Sequence, residues 1–234
     1  MTAAVAPVAL DASGRAAYLG EVLEAVVAEQ TGDEELVIAA RTRFEDRRGK
    51  IYQEEELWET WSASFVEWLV TEYVPPARAG AGLGTRGLPL AADSLAAART
   101  AGDERRARAI TAWLTSYRSL WSVEKLAPGH VELFDLLGGA HLRITEPRGL
   151  HGVAVGEVAE LRVVAFEGEL WFGRAFLFHP RGTRDALLEQ ARVVTAAGGD
   201  RRAVLDRAAS LRVKGLRYKH VPAAKLYERG GGTR

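Results

Sequence analysis

The chain has 234 residues, of which 47% are hydrophobic and 26% charged, with six Trp and no Cys. This is enough for one large domain or two small ones and lies outside the range of disordered chains; disulfides, thiolate metal sites and catalytic thiols are excluded. Lys+Arg and Asp+Glu both number 31, so the formal net charge is zero and no global field drives the chain toward nucleic acid or anionic lipid.

The apolar opening, Met1–Leu10, is interrupted by Pro7, ended by Asp11 and has no basic lead; it reads as a frayed terminus and not as a signal peptide. No apolar run approaches the ~18 residues of a membrane span. Together with zero Cys and heavy use of Ala, Arg and Gly, this sets the expectation of a soluble bacterial protein in a reducing cytoplasm.

A first helix is expected over Ser13–Gln30, capped by Ser13, with Tyr18, Leu19, Val22, Leu23, Val26 and Val27 on one stripe. A second starts at the capping residue Asp33, buries Leu36, Val37, Ala40 and Phe44, and stops at Gly49. The third, Gln53–Tyr73, carries Leu57, Trp58, Trp61, Phe65, Trp68 and Leu69 at helical spacing. Glu54, Glu55, Glu56, Glu59, Glu67 and Glu72 read as its solvated acidic face. Pro75-Pro76 ends it, and residues 77–92 are a Gly-rich loop or linker. A fourth helix is expected over Asp103–Ser116; whether Ser94–Arg99 forms a separate helix stays open.

From Ser119 to Pro180 the apolar period changes from helical to alternating. Five strands are expected: Leu120–Leu126, His130–Leu136, Ala140–Thr145, Gly156–Phe166 and Glu169–Phe178. Gly138-Gly139 and Glu167-Gly168 supply hairpin turns. The fifth strand is apolar on both faces, with Leu170, Phe172, Phe176 and Phe178 on one and Trp171, Ala175 and Leu177 on the other. Helices must therefore cover one side of the sheet. Two helices follow, Thr183–Ala196 and Asp200–Val213, before a glycine-rich end at 230–234 that reads as disordered.

The expected class is α+β: an N-terminal helical layer, a five-stranded small SH3- or OB-like barrel or curled antiparallel sheet, and C-terminal helices. The expected division is a helical region over 1–76, the loop over 77–92, a helix over 93–118, strands over 119–180, and helices with a basic tail over 181–229, all in one compact unit.

No catalytic, cofactor or metal motif stands out. Gly82-Leu83-Gly84-Thr85-Arg86-Gly87 has the G-x-G-x-x-G pattern, but a Pro-Pro break precedes it and Leu88-Pro89 follows, so it lacks the strand and helix that the dinucleotide fingerprint needs. No two of the five histidines are spaced for a local metal motif; His141, His151 and His179 are the three that could meet in space. The clearest asymmetry is the C-terminus. Residues 212–234 carry seven basic residues against Glu228 alone, with aromatics interleaved. Arg212, Lys214, Arg217, Tyr218, Lys219 and Lys225 are the candidate contacts to a protein or nucleic acid, and the acidic face of the third helix is a candidate intramolecular partner for the tail.

Two segments resemble known bacterial proteins. Ser119-Leu120-Trp121-Ser122-Val123-Glu124, Val131–Gly139, Gly156-Glu157 and Glu167-Gly168 resemble the strand-rich segment of SEC-C-associated proteins, whose Cys-rich metal site this chain lacks. Phe44–Lys50, leading into Leu57-Trp58-Glu59-Thr60-Trp61, is similar to hypothetical proteins of myxobacteria. Neither resemblance implies an activity. The leading functional expectation is a non-enzymatic interaction or regulatory module that binds another protein. A nucleic-acid-binding protein using the strands and tail is the alternative, and an enzyme with a site assembled from distant residues the second.

Overall fold

The structure, a computed structural model, describes residues 10–76 and 87–229. The frayed start, most of the G-x-G-x-x-G segment and the glycine-rich end lie outside them. Helix α1 spans Ala12–Gln30 and is capped by Asp11, whose carboxylate accepts the Gly14 N–H at 2.7 Å; the cap expected at Ser13 thus sits two residues earlier. Helix α2 spans Glu34–Arg48, with Asp33 accepting the Leu36 N–H at 3.0 Å and Gly49 ending it at φ 101°. Helix α3 runs only over Trp58–Thr71. It starts later than expected because the Glu55 carboxylate accepts the Tyr52 N–H at 2.7 Å and closes a turn where the helix would begin.

Ser94–Arg99 belongs to a separate helix, α4 (Ala91–Thr100); Gly102, at φ 71°, and the Asp103 cap divide it from α5 (Glu104–Leu114). The strands are β1 (Tyr117–Ala127), β2 (Gly129–Asp135), β3 (His141–Glu146), β4 (Val158–Phe166) and β5 (Glu169–Phe178). Then follow α6 (Arg184–Ala196), α7 (Arg201–Arg217) and α8 (Ala223–Arg229). Helix α8 lies where only a basic tail was expected.

The sheet is antiparallel in the order β3-β2-β1-β4-β5. Ladder irregularities between Val123 and Lys125 and between Leu161 and Val163 bend it, and its edge strands β3 and β5 approach one another. They share no ladder, so the SH3- or OB-like barrel is corrected to the curled sheet. Leu150 and Val153, from the loop after β3, pack against the inner cluster and fill space at the mouth of the curl. The concave face is lined by Trp121, Val131, Leu133, Ile144, Leu161 and Val163.

The convex face is covered by helices from both ends of the chain, as the two-sided fifth strand requires. Val164, Phe166 and Trp171 join α1 and α5; Leu177 joins α2, α3 and α7; Leu120 and Val158 join α6 and α7. Trp61, Trp121 and Trp171 are completely enclosed. Each removes about 150–250 Å² from water, roughly 4–6 kcal/mol of hydrophobic transfer as an upper bound. Phe44 packs among Trp61, Phe65 and Trp68, with ring centroids 5.4, 5.5 and 5.4 Å away.

Candidate functional site

Two charged regions result: an exposed basic end and a buried ionic network. The basic end forms where α7 finishes beside the loop after α2. The Arg217 guanidinium lies over the Tyr52 ring at 5.9 Å and donates to the Lys50 carbonyl at 2.5 Å, while Lys50 lies over the same ring at 5.2 Å. Tyr52 and Tyr218 are 48% and 49% exposed, and Lys214, Lys219 and Lys225, at the end of α7, just after it and on α8, are exposed too. Arg212 differs from its neighbours. It is largely covered and donates to the Phe178 carbonyl at 2.9 Å, which ties α7 to the end of β5. The expected pairing with the acidic segment takes the form of Arg217–Glu55 at 3.8 Å and Arg212–Glu56 at 3.9 Å.

The second region was not anticipated. Glu67 and Glu72, read as solvated, are enclosed between α3 and the convex face of the sheet. Arg118 on β1 and Arg162 on β4 are cross-strand partners. Arg162 donates to Glu72 Oε1; Arg118 Nη2 reaches Glu72 Oε2 at 3.1 Å, and its Nε lies 2.9 Å from Oε1, within ion-pair range though off the hydrogen-bond angle. Arg118 also donates to Glu160 Oε1 at 2.8 Å. Arg48, the last residue of α2, donates to the same oxygen at 2.8 Å and to Asp206 on α7 at 3.3 Å. Arg47 pairs with Asp206 at 2.6 Å, and Arg202 with Glu72 at 3.2 Å.

Glu67 accepts the backbone N–H groups of Arg174 and, at 3.1 Å, Ala175, and lies 3.4 Å from Arg162 Nε. Burial raises its pKa above the usual carboxylate range against the pull of Arg162 and the two amides. Burial also pushes Glu72 and Glu160 upward, but there the arginines win: Arg118, Arg162 and Arg202 hold Glu72 low, and Arg48 and Arg118 hold Glu160 low.

The signal for the network was present in the sequence. Helix α3 has Ala63, Val66 and Val70 around Glu67, so it is apolar on nearly every side, the mark of a buried helix. On β4, Glu160 and Arg162 alternate with Ala159, Leu161 and Val163, yet share their face with Val158 and Val164.

The histidines are dispersed in role. His141 is exposed, with Nδ1 2.9 Å from Glu124; His151 is exposed in a turn; His179 is buried, with Nδ1 2.9 Å from the Tyr227 hydroxyl. Among the described residues no group of three His, Asp or Glu side chains is placed to hold a metal ion. A polar pocket of about 330 Å³ opens beside the network, between the end of α5, the start of β1 and the start of α7, next to a wider cleft of about 660 Å³.

A family of unknown function, DUF7986, matches residues 91–208. The chain belongs to that family. The DUF7986 match takes in α4 through α6, the whole sheet and the first half of α7. No curated protein and no solved structure matches the chain. Among the described residues no helix is long and apolar enough to cross a membrane.

Proposed function

We propose that this DUF7986 protein is a non-enzymatic interaction module that docks an acidic segment of a protein partner on its basic, aromatic end. The observation that carries this reading is the Arg217 guanidinium held over the half-exposed Tyr52, with the half-exposed Tyr218 next along the chain. Tyr and Arg are both enriched among the anchors of protein interfaces: Tyr buries a large area with few rotamers to freeze, and Arg brings a planar fork of donors. The flanking Lys214, Lys219 and Lys225 steer an acidic partner toward them. The cysteine-free composition and the resemblances of the strand region and of the Phe44–Trp61 segment support a bacterial cytoplasmic setting.

The test is capture from source cells by the purified chain and by the Lys214→Glu/Lys219→Glu/Lys225→Glu variant, followed by titration of the captured protein in pure form. A partner whose affinity falls at least tenfold in the variant supports the reading. Equal affinity for both chains overturns it. If the chain instead retains a single-stranded oligonucleotide with binding that weakens steeply with salt, nucleic acid takes the place of the protein partner.

A further inference from the structure

The pocket between α5, β1 and α7 lies away from the basic end, and its chemistry is different. Arg118 and Arg162 stand at its inner side, Arg201 and Arg202 at its rim, and the carboxylates among its lining are Glu72 and Asp200. Four guanidiniums thus meet two carboxylates. In the network behind the wall, Arg47, Arg48, Arg118, Arg162, Arg201 and Arg202 face Glu67, Glu72, Glu160, Asp200, Asp206 and, behind Tyr117, Asp135, so the surplus lies in the lining itself. Burial also shifts Glu67 toward its neutral form. A protein with zero formal net charge therefore concentrates a positive surplus at one partly enclosed place.

The rim is pre-set. The Arg201 guanidinium stacks on the Tyr117 ring at 4.0 Å, and the Tyr117 hydroxyl is fixed by a 2.6 Å bond to the buried Asp135. Arg201 makes no ion pair among the described residues, so its donors are held in position and unspent. Arg202 pairs with Glu72 through Nε at 3.2 Å, and its guanidinium is half-exposed at the rim, where it can meet a second acceptor. Ser116 Oγ, another lining group, is oriented by Arg162 at 3.0 Å. The pocket also meets the first turn of a 17-residue helix, whose positive end adds to the field.

We propose that this pocket is a binding site for a small phosphoryl-bearing molecule, with Arg201 and Arg202 gripping the phosphoryl oxygens and Arg118 and Arg162 supplying the positive field behind them. Planar guanidiniums bind tetrahedral oxyanions through paired N–H donors, which a point-charge ammonium does not. About 330 Å³ holds a phosphate with a small organic group and is at the low end for ligand pockets. The rim arginines are exposed, so changing them leaves the enclosed ion pairs among Arg48, Arg118, Arg162 and Glu160 in place.

The test is a titration with inorganic phosphate and with ribose 5-phosphate at constant ionic strength, read by thermal shift and by calorimetry on the full chain. The expected result is saturable binding that weakens at least tenfold in Arg201→Gln/Arg202→Gln. It should be unchanged in Arg192→Gln, which removes an exposed arginine of α6 paired with Glu189. A shift no larger than that given by sodium chloride of equal ionic strength overturns the proposal. So does binding that survives in the double variant or falls equally in Arg192→Gln. The Lys214, Lys219 and Lys225 reversals leave this binding intact, so it succeeds or fails independently of the docking reading.

Discussion

Arg118 and Arg162 stand directly opposite one another across the β1–β4 ladder, two like charges where a sheet tolerates them least. Glu72, brought in by the last turn of α3, bonds to both and makes the pairing tolerable. Glu72→Gln is therefore expected to destabilise the protein by about 3–5 kcal/mol, the usual cost of stranding a buried charge. Arg202→Gln, which removes only a half-exposed partner of Glu72, should cost less than about 1 kcal/mol. Urea unfolding of the two variants gives both numbers; equal costs would mean that the arginine pair does not depend on Glu72.

Stability should fall on acidification in two stages. Burial holds the His179 pKa at about 4, so the folded chain keeps it neutral while the unfolded chain protonates it near 6.5. Its contribution is present in full above about pH 6.5 and is lost as the pH falls toward 4, on the order of 3 kcal/mol. Glu72 and Glu160 are held below the ordinary carboxylate range; their contribution is present above it and is lost as the pH falls through it. In His179→Gln the dependence between pH 6.5 and 4 should flatten while the lower fall persists. The urea midpoint measured from pH 6.5 down through and below the carboxylate range checks both stages.

Gly173 marks the place where α3 docks on β5. A Cβ built there would lie 2.6 Å from Glu67 Oε1 and 3.1 Å from the Arg162 Cβ. Gly173→Ala must push Glu67 off the amides of Arg174 and Ala175, at a cost of about 1–3 kcal/mol. If thermal unfolding of the variant matched the parent, the carboxylate would be free to move and the docking would not be tight.

Tyr227 is the main anchor of helix α8, with Leu226 packed beside it. Tyr227 is fully buried, its hydroxyl meets His179 and its carbonyl accepts from Gln190 at 3.0 Å. Tyr227→Phe leaves a buried imidazole nitrogen without its partner and should cost about 1–2 kcal/mol. Amide exchange should quicken through α8 while the sheet stays protected.

Alternation made the strands legible: β5 spans the residues expected of it, and β2 and β3 agree to within a residue. The Trp stripe of α3 was equally plain, since its large side chains recur at one spacing. The network was missed because a charged residue counts as solvent-facing until a partner is supplied, and Glu72's partners lie at positions 118, 162 and 202. Helix α8 escaped for a related reason: its seven residues are too few to show a period, and Tyr227 looked like one aromatic among many bases.

The DUF7986 match begins at residue 91, after α3 has ended. Arg118, Glu160 and Arg162 fall inside it, whereas Arg48, Glu67 and Glu72, which neutralise them, fall outside. The span that defines kinship and the span that completes the ionic network are therefore different lengths of chain. Expressed alone, residues 91–208 would keep the Arg118–Glu160 pair but would leave Arg162 on the convex side of the sheet without its carboxylates Glu67 and Glu72. A relative that keeps an arginine at the position of Arg162 must draw its counter-charge from outside the matched span, from its own flanking sequence or from a second polypeptide.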